Sequence, residues 1–120
     1  MPAEKKYNWH KIAESAADFL WQGNNLCEVQ VKDKIICIAR KGDEVFACAH
    51  KCPHAGGYMA GGFVDALSNI VCPLHRYKFS LQNGRNVSGE GYYLKTYPVE
   101  VREDGVYVGM EANGLFSLFQ

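Results

Sequence analysis

Two short segments of the chain join a cysteine to a histidine across a proline. They are Cys52–His54 (Cys-Pro-His) and Cys72–His75 (Cys-Pro-Leu-His), and residues 55–71 separate them. Proline fixes φ and removes a backbone donor, so each turn holds its thiol and its imidazole at a preset separation. Because thiolate and imidazole are both metal ligands, two such segments facing each other supply four ligands. These candidate ligands are Cys52, His54, Cys72 and His75.

The mixed pairing leaves two kinds of metal site open. Two cysteines and two histidines can close a tetrahedral structural zinc site. Zinc fingers, however, pair cysteine with cysteine and histidine with histidine, whereas each segment here contributes one of each. A [2Fe–2S] cluster accepts this arrangement, with both cysteines on one iron and both histidines on the other. The pattern favours the cluster, and a structural zinc protein without a redox role is the alternative.

Composition limits the partners of such a site. The chain has 120 residues, with 13 basic and 13 acidic side chains. This length forms one core, so we expect a single domain over 1–120 with no separate catalytic domain. Balanced, scattered charge argues against nucleic acid and membrane surfaces as partners. No apolar run reaches the roughly 18 residues of a spanning helix and no export signal is seen, so we expect a cytoplasmic protein.

The remaining cysteines and histidines have a structural explanation. Cys27, Cys37 and Cys48 lie in apolar strand patterns and are expected in the core as free thiols. Cys48-Ala49-His50 is also a Cys-x-His segment, but using it would leave the proline and the glycine pair outside the site. We therefore expect a structural or solvent-facing role for His50, and His10 lies in no motif.

The hydrophobic pattern predicts an all-β fold. Short segments rich in Val, Ile, Tyr and Phe alternate with turn signals throughout, and no long window has a helical period. The predicted elements are a hairpin of Lys34–Arg40 with Glu44–Cys48, a hairpin of Val99–Arg102 with Val106–Val108 turning at Asp104-Gly105, a turn at Asn83-Gly84, and one helical turn capped by Ser15. The glycine-rich stretch His50–Asp65 is predicted to be a loop.

A Cys-x-His segment and a Cys-x₂-His segment, separated by residues 55–71, together resemble the pattern of Rieske iron–sulfur domains. The likeness runs from about Trp9 to Met110. It implies stacked small antiparallel sheets with a loop-built cluster-binding subdomain at about 50–90, and one [2Fe–2S] cluster per chain. The implied cluster ligands are Cys52, His54, Cys72 and His75. An apolar tail at 111–120 is expected to fold back on the core or to mark a contact.

The resemblance also implies a function. Soluble, low-potential Rieske ferredoxins carry single electrons, so we expect electron transfer from a reductase to a terminal oxygenase or a similar acceptor. The partners are then redox proteins, and neither a small-molecule substrate pocket nor independent substrate turnover is expected. A small Rieske subunit of a larger reductase, as in nitrite reductases, is the alternative within this family.

Residue differences from high-potential relatives determine the reduction potential that we expect. Gly57 and Leu74 occupy the positions of a disulfide in those relatives, and Tyr77 and Phe79 stand where they have a Ser and a Tyr that donate hydrogen bonds. We therefore expect no disulfide and a reduction potential of about −150 to −50 mV.

The surroundings of the cluster can also be predicted from the resemblance. His54 and His75 are expected to be the most exposed ligands, with a partner-facing rim of Lys51, Tyr58, Met59 and Arg76. Arg76 replaces a usual glycine and adds a positive charge, which favours the reduced state. A third loop, Ser88–Tyr93, is expected to cover the cluster without the Gly-Pro that related domains use.

Overall fold

A computed structural model describes residues 6–54 and 56–111. These residues form ten β-strands and two short 3-10 helices, at Ala16–Asp18 and Met59–Gly61. The strands are β1 (Tyr7–Ala13), β2 (Leu26–Val31), β3 (Lys34–Lys41), β4 (Glu44–Ala49), β5 (Phe63–Val64), β6 (Asn69–Val71), β7 (Lys78–Ser80), β8 (Thr96–Tyr97), β9 (Val99–Arg102) and β10 (Gly105–Glu111). The apolar tail predicted at 111–120 lies, beyond Glu111, outside the described residues.

Three small antiparallel sheets make up the fold. The outer sheet has the order β1-β10-β9, the central sheet β2-β3-β4-β8, and the loop sheet β5-β6-β7. The prediction of an all-β architecture of stacked small sheets is confirmed. The predicted helical turn is also present: Ser15 accepts a hydrogen bond from the Ala17 N–H while Asp18 accepts one from the Ser15 N–H.

Side chains alternate between the two faces of a strand, and both faces of the central sheet pack against a hydrophobic core. In β3, Ile36 and Ile38 point into a basal core shared with Val106 and Val108 of the outer sheet. Their neighbours Cys37 and Ala39 point the opposite way, into a loop-side core. That second core also contains Leu26, Cys48, Cys52, Met59, Ala60, Ile70, Cys72, Phe79, Leu81 and Leu94.

Both predicted hairpins form. β3 and β4 are joined by a two-residue turn in which Gly42 takes a positive φ of 59°. In the second hairpin, Gly105 already pairs with Arg102, so the turn consists of Glu103 and Asp104 and lies one residue earlier than predicted. The returning strand is longer than predicted because β10 pairs with β1 as well as with β9.

The three cysteines assigned to the core are buried free thiols. Cys27 lies in the basal core, where burial raises the pKa of its thiol to about 11. Cys37 and Cys48 face each other across β3 and β4 in the loop-side core. A hydrogen bond between the Cys48 and Cys37 thiols, together with complete burial, holds the pKa of Cys48 well above its usual range.

Close backbone packing explains one position in the glycine-rich stretch. A Cβ on Gly62 would lie 1.8 Å from the Val71 carbonyl oxygen, so only glycine fits between the 3-10 helix Met59–Gly61 and β6. A side chain from the turn that precedes β2 also holds this stretch. Asn24 Nδ2 donates to the Ala60 and Gly62 carbonyls at 2.9 and 2.8 Å. None of the helices in the described ranges has the length and apolarity that a bilayer crossing needs.

Candidate metal centre

The two Cys-His segments form the tips of two similarly built loops. We call residues 52–57 loop 1 and residues 72–77 loop 2. In each, the cysteine N–H donates to the carbonyl five residues further on: Cys52 to Gly57 at 2.7 Å, and Cys72 to Tyr77 at 2.8 Å. An antiparallel bridge of residues 51 and 58 closes loop 1, and pairing of β6 with β7 closes loop 2. Neighbouring strands therefore fix where both cysteines point.

Two thiols form the floor of the site. Cys52 and Cys72 are 3% and 1% exposed, and both belong to the loop-side core. Burial first, and the neighbouring Cys52 thiol second, raise the pKa of Cys72 to about 11. A metal ion that binds these sulfurs must displace their protons, since the thiolate is the ligand.

Two imidazoles lie above this floor. The ring centroids of His54 and His75 are 5.1 Å apart with the planes tilted by 58°. His75 is exposed and His54 is partly buried. The Nδ1 atom of His54 is buried and has no hydrogen-bond partner within the described ranges. Because buried polar atoms are normally paired, an unpartnered ring nitrogen is the state expected of an atom reserved for a metal.

The four candidate ligands are thus arranged as two pairs, with the thiols buried and the imidazoles nearer the surface. Within residues 6–54 and 56–111, no three His, Cys, Asp or Glu side chains surround a single point in the way that one metal ion requires. A two-iron cluster needs only two protein ligands at each iron. The donor set and its pairing therefore fit a [2Fe–2S] cluster held by Cys52, Cys72, His54 and His75.

Aromatic rings flank His54. Tyr77 stacks on the imidazole at 4.2 Å with an interplanar angle of 26°, and the Tyr92 ring centroid lies 5.3 Å from it. Tyr92 ends a third loop, residues 86–92, which we call loop 3. The expectation that this stretch covers the site is consistent with this contact, while the contribution of Tyr92 itself could not be predicted from a motif.

Side chains brace loop 3 in place of the missing proline. Asn86 Nδ2 donates to the Lys78 carbonyl at 3.1 Å and to Glu90 Oε1 at 2.8 Å, while Asn86 Oδ1 accepts from the Glu90 and Gly91 N–H groups. Ser88 donates to the same Glu90 carboxylate and accepts from the Lys78 N–H. The hydrogen bonds from Ser88 and Asn86 lower the pKa of Glu90. Asn, Ser and Glu at alternate positions were the only sequence signal of this network.

The exposure predicted for the rim residues is correct in part. Lys51, Tyr58 and Arg76 are exposed, as expected. Met59 is wrongly placed by the sequence prediction: it is 0% exposed. It begins the 3-10 helix Met59–Gly61, whose apolar side chains pack into the loop-side core.

The other two histidines lie outside the set. His50 Nδ1 is likewise buried without a hydrogen bond in the described ranges, but it lies 3.0 Å from Glu28 Oε2 in an ion-pair contact, and the His50 ring packs against Tyr58 with 4.7 Å between centroids. This pairing supports the structural role expected for His50. His10 lies in β1 opposite Val108, in the outer sheet.

The fold and the site together define an all-β domain in which two hairpin loops bring two thiols and two imidazoles together. Residues 8–109 match the family model of the Rieske-like [2Fe–2S] domain. The chain belongs to this family, which binds one [2Fe–2S] cluster per domain.

Individual relatives agree with this assignment. The 3-phenylpropionate/cinnamic acid dioxygenase ferredoxin subunit of Photorhabdus laumondii is 32% identical over 66 residues, which cover 54% of this chain and 63% of that protein. A solved complex of reduced oxygenase and oxidized ferredoxin in carbazole 1,9a-dioxygenase contains a chain that is 29% identical, with a TM-score of 0.70 and coverage of 84% and 92%.

A third similarity concerns the fold alone. A Mycobacterium tuberculosis protein named for the small subunit of an NADH-dependent nitrite reductase superimposes with a TM-score of 0.76, covering 89% of this chain and 98% of that one. The two sequences are only 19% identical. The same sheets and loops therefore occur in proteins of differently named systems.

Proposed function

We propose that this protein is a one-electron carrier whose [2Fe–2S] cluster is held by Cys52 and Cys72 on one side and by His54 and His75 on the other. The observation that carries the proposal is the layered site, with both thiols buried and the His75 imidazole exposed. When bound, the cluster takes up and releases a single electron. The exposed imidazole gives that electron a short route to a docked protein.

Buried and more exposed residues around the site have different roles. The loop-side core excludes water from the Cys52 and Cys72 sulfurs, which protects the ligand bonds. Two neutral imidazoles in place of two thiolates make the cluster less negative, so adding an electron costs less free energy than in a cluster with four cysteines. Tyr77 and Tyr92 restrict the orientation of the His54 ring through their packing against it.

The proposed donor is a reductase and the proposed acceptor is a terminal oxygenase. Support comes from the relatives: one is named as a dioxygenase ferredoxin subunit, and another similar chain is found in a complex of an oxygenase with a ferredoxin. A cytoplasmic location is part of the proposal, because the three free thiols outside the proposed ligand set, Cys27, Cys37 and Cys48, suit a reducing compartment. Service as the small subunit of a larger reductase rests on fold similarity alone, and no contact in the site favours it.

Metal analysis and spectroscopy of anaerobically purified protein test the cluster. We expect a red-brown protein with iron and sulfide in equal amounts, and a Rieske-type EPR signal after reduction. A colourless protein carrying zinc without iron or sulfide would overturn the proposal.

Two histidine variants test the ligand set. His75→Ala should prevent cluster assembly, because it removes one of the two ligands of an iron. His50→Ala is the matched control, since His50 is close to loop 1 in sequence but pairs with Glu28. Full cluster retention in His75→Ala, or equal loss in both variants, would show the assignment to be wrong.

A further inference from the structure

Charge is distributed unevenly over a chain that is neutral as a whole. Residues 51–93, which include all three loops, carry four basic and two acidic side chains. Because the formal net charge is zero, the rest of the chain carries the opposite excess. The basic residues are Lys51, Arg76, Lys78 and Arg85, and all four are exposed.

None of these four basic side chains forms an ion pair with a carboxylate in the described part of the chain, where the ion pairs involve Lys11, Lys95, Arg102 and His50. Of the two acidic residues of 51–93, Asp65 accepts hydrogen bonds from the Leu67 and Asn69 N–H groups and is also attracted by the charge of Lys78, and Glu90 accepts from Ser88 and Asn86. The positive charges of Lys51, Arg76 and Arg85 are therefore available to a partner.

The basic groups border an exposed aromatic and apolar surface beside His75. Lys51 Nζ lies 5.8 Å from the ring centroid of Tyr58, which is 56% exposed. Arg76 directly follows His75, and Leu74 on its other side is 44% exposed. Tyr92 is 40% exposed next to His54. Protein interfaces typically combine aromatic and apolar residues at the centre with charged residues at the rim, and this surface has the same composition.

We propose that this end of the molecule docks onto an acidic protein surface, with carboxylates facing Lys51 and Arg76 and an apolar centre facing Leu74, Tyr58 and Tyr92. The inference rests on the proposed electron-carrier function and specifies its partner. Since the net charge is zero, the attraction acts as a steering force: it orients the loops toward the partner without drawing the whole molecule to every anion.

Charged small-molecule oxidants test the sign of this surface. The reduced, cluster-loaded protein is mixed in a stopped-flow instrument with ferricyanide, an anion, or with tris(phenanthroline)cobalt(III), a cation, at increasing ionic strength. We expect the ferricyanide rate to fall and the cobalt rate to rise with salt, because screening weakens local attraction and local repulsion. If the net charge of the whole molecule determined the rate, ferricyanide would not be attracted, because the chain is neutral and reduction of the cluster adds one negative charge. A flat or reversed salt dependence would overturn the inference.

Charge-reversal variants locate the effect. Arg76→Glu and Lys51→Glu should each slow oxidation by ferricyanide several-fold, up to about tenfold, at low ionic strength. Lys6→Glu makes the same change of charge just before β1, in the outer sheet on the opposite face of the central sheet, and should change the rate little. An equal effect of Lys6→Glu would mean that total charge, and not this surface, sets the rate.

Binding of two polyanions distinguishes an acidic protein partner from a nucleic acid partner. Poly-L-glutamate should bind the charged end of the oxidised protein, with amide chemical-shift changes at Lys78, Arg85 and neighbouring residues. Single-stranded RNA of equal charge should bind more weakly. Tighter binding of RNA would reject an acidic protein as the partner. Absence of any electron transfer to either oxidant would instead defeat the proposed function, while leaving the binding result readable.

Discussion

Gly57 of loop 1 and Leu74 of loop 2 face each other, and a Cβ placed on Gly57 would lie 3.6 Å from the Leu74 Cβ. These are the two positions at which the sequence resemblance places the disulfide of high-potential relatives. Here a leucine side chain fills the space that a disulfide would cross. The two loops are therefore held by backbone hydrogen bonds and by packing, without a covalent link.

The double variant Gly57→Cys/Leu74→Cys should form a disulfide under mild oxidation, because 3.6 Å lies within the Cβ–Cβ range of natural disulfides, about 3.5–4.5 Å. Closing a loop of roughly this length should add about 3 kcal/mol to the free energy of unfolding. Non-reducing mass spectrometry and denaturation with and without reductant check both points. Gly57→Cys alone is the control and should destabilise, since its Cβ would lie 2.9 Å from Leu74 Cδ1. Two freely alkylated thiols in the double variant would refute this pairing.

The reduction potential should lie near the low end for this cluster type, at about −150 to −50 mV. Loops 1 and 2 lack a covalent link, and Phe79, which is fully buried in the loop-side core with both ligand thiols, has no hydroxyl to donate to a sulfur. Fewer hydrogen bonds to sulfur leave the reduced cluster less stabilised. A redox titration followed by EPR measures the potential, and a midpoint above about +100 mV would contradict this reasoning.

Asn86→Ala should loosen loop 3. The substitution removes a carboxamide that bonds to both Glu90 and Gly91, so we expect a loss of about 1–2 kcal/mol in the free energy of unfolding. Amide hydrogen exchange at Glu90 and Gly91 should accelerate, because both N–H groups lose their acceptor. Gln82→Ala, an exposed position in the preceding turn, is the control. Unchanged exchange at both amides in Asn86→Ala would show that the loop is held by something else.

Stability should decline at alkaline pH because of the buried thiols. The folded-state pKa of Cys27 is raised from 9.0 to about 11 by burial, so the unfolded chain loses this proton first. The stabilisation is complete below pH 9 and is lost as the pH rises toward 11. Urea denaturation at pH 8 and pH 10 measures the decline, and Cys27→Ala should reduce it even though the variant is less stable overall. An identical pH dependence in the variant would exclude Cys27 as the cause.

Arg76→Gly should stabilise loop 2. Arg76 has a φ of 58°, and His75 before it has a φ of 63°, so two non-glycine residues in a row occupy the left-handed region. Glycine relieves this strain by about 1 kcal/mol. Arg76→Ala keeps the strain but removes the charge, so it is the matched control in thermal unfolding. Equal stability of the two variants would mean that the backbone strain at this position is negligible.

The strand pattern and the candidate ligand residues could be predicted from the sequence because both depend on local spacing. The apolar run within Lys34–Lys41 and the Gly42 turn specify their own hairpin, and each proline couples its cysteine to its histidine within one loop. Met59 was misplaced because the direction of a side chain in a single helical turn depends on the core that it meets. The register that puts Cys37 opposite Cys48 follows from the two-residue turn between Lys41 and Glu44.

By itself, the sequence determined the class of metal centre, since residue type decides which donor atoms are present and chain spacing decides which of them share a loop. Only the tertiary structure decided how the two loops face each other. It places the Cys52 and Cys72 thiols side by side in the core and the two imidazoles 5.1 Å apart nearer the surface. It also brings Tyr92 against His54 through a hydrogen-bond network centred on Asn86. The basic surface beside His75 belongs to the same category. It gathers residues from both loops and from the strands after them, and such proximity arises only when the sheets pack.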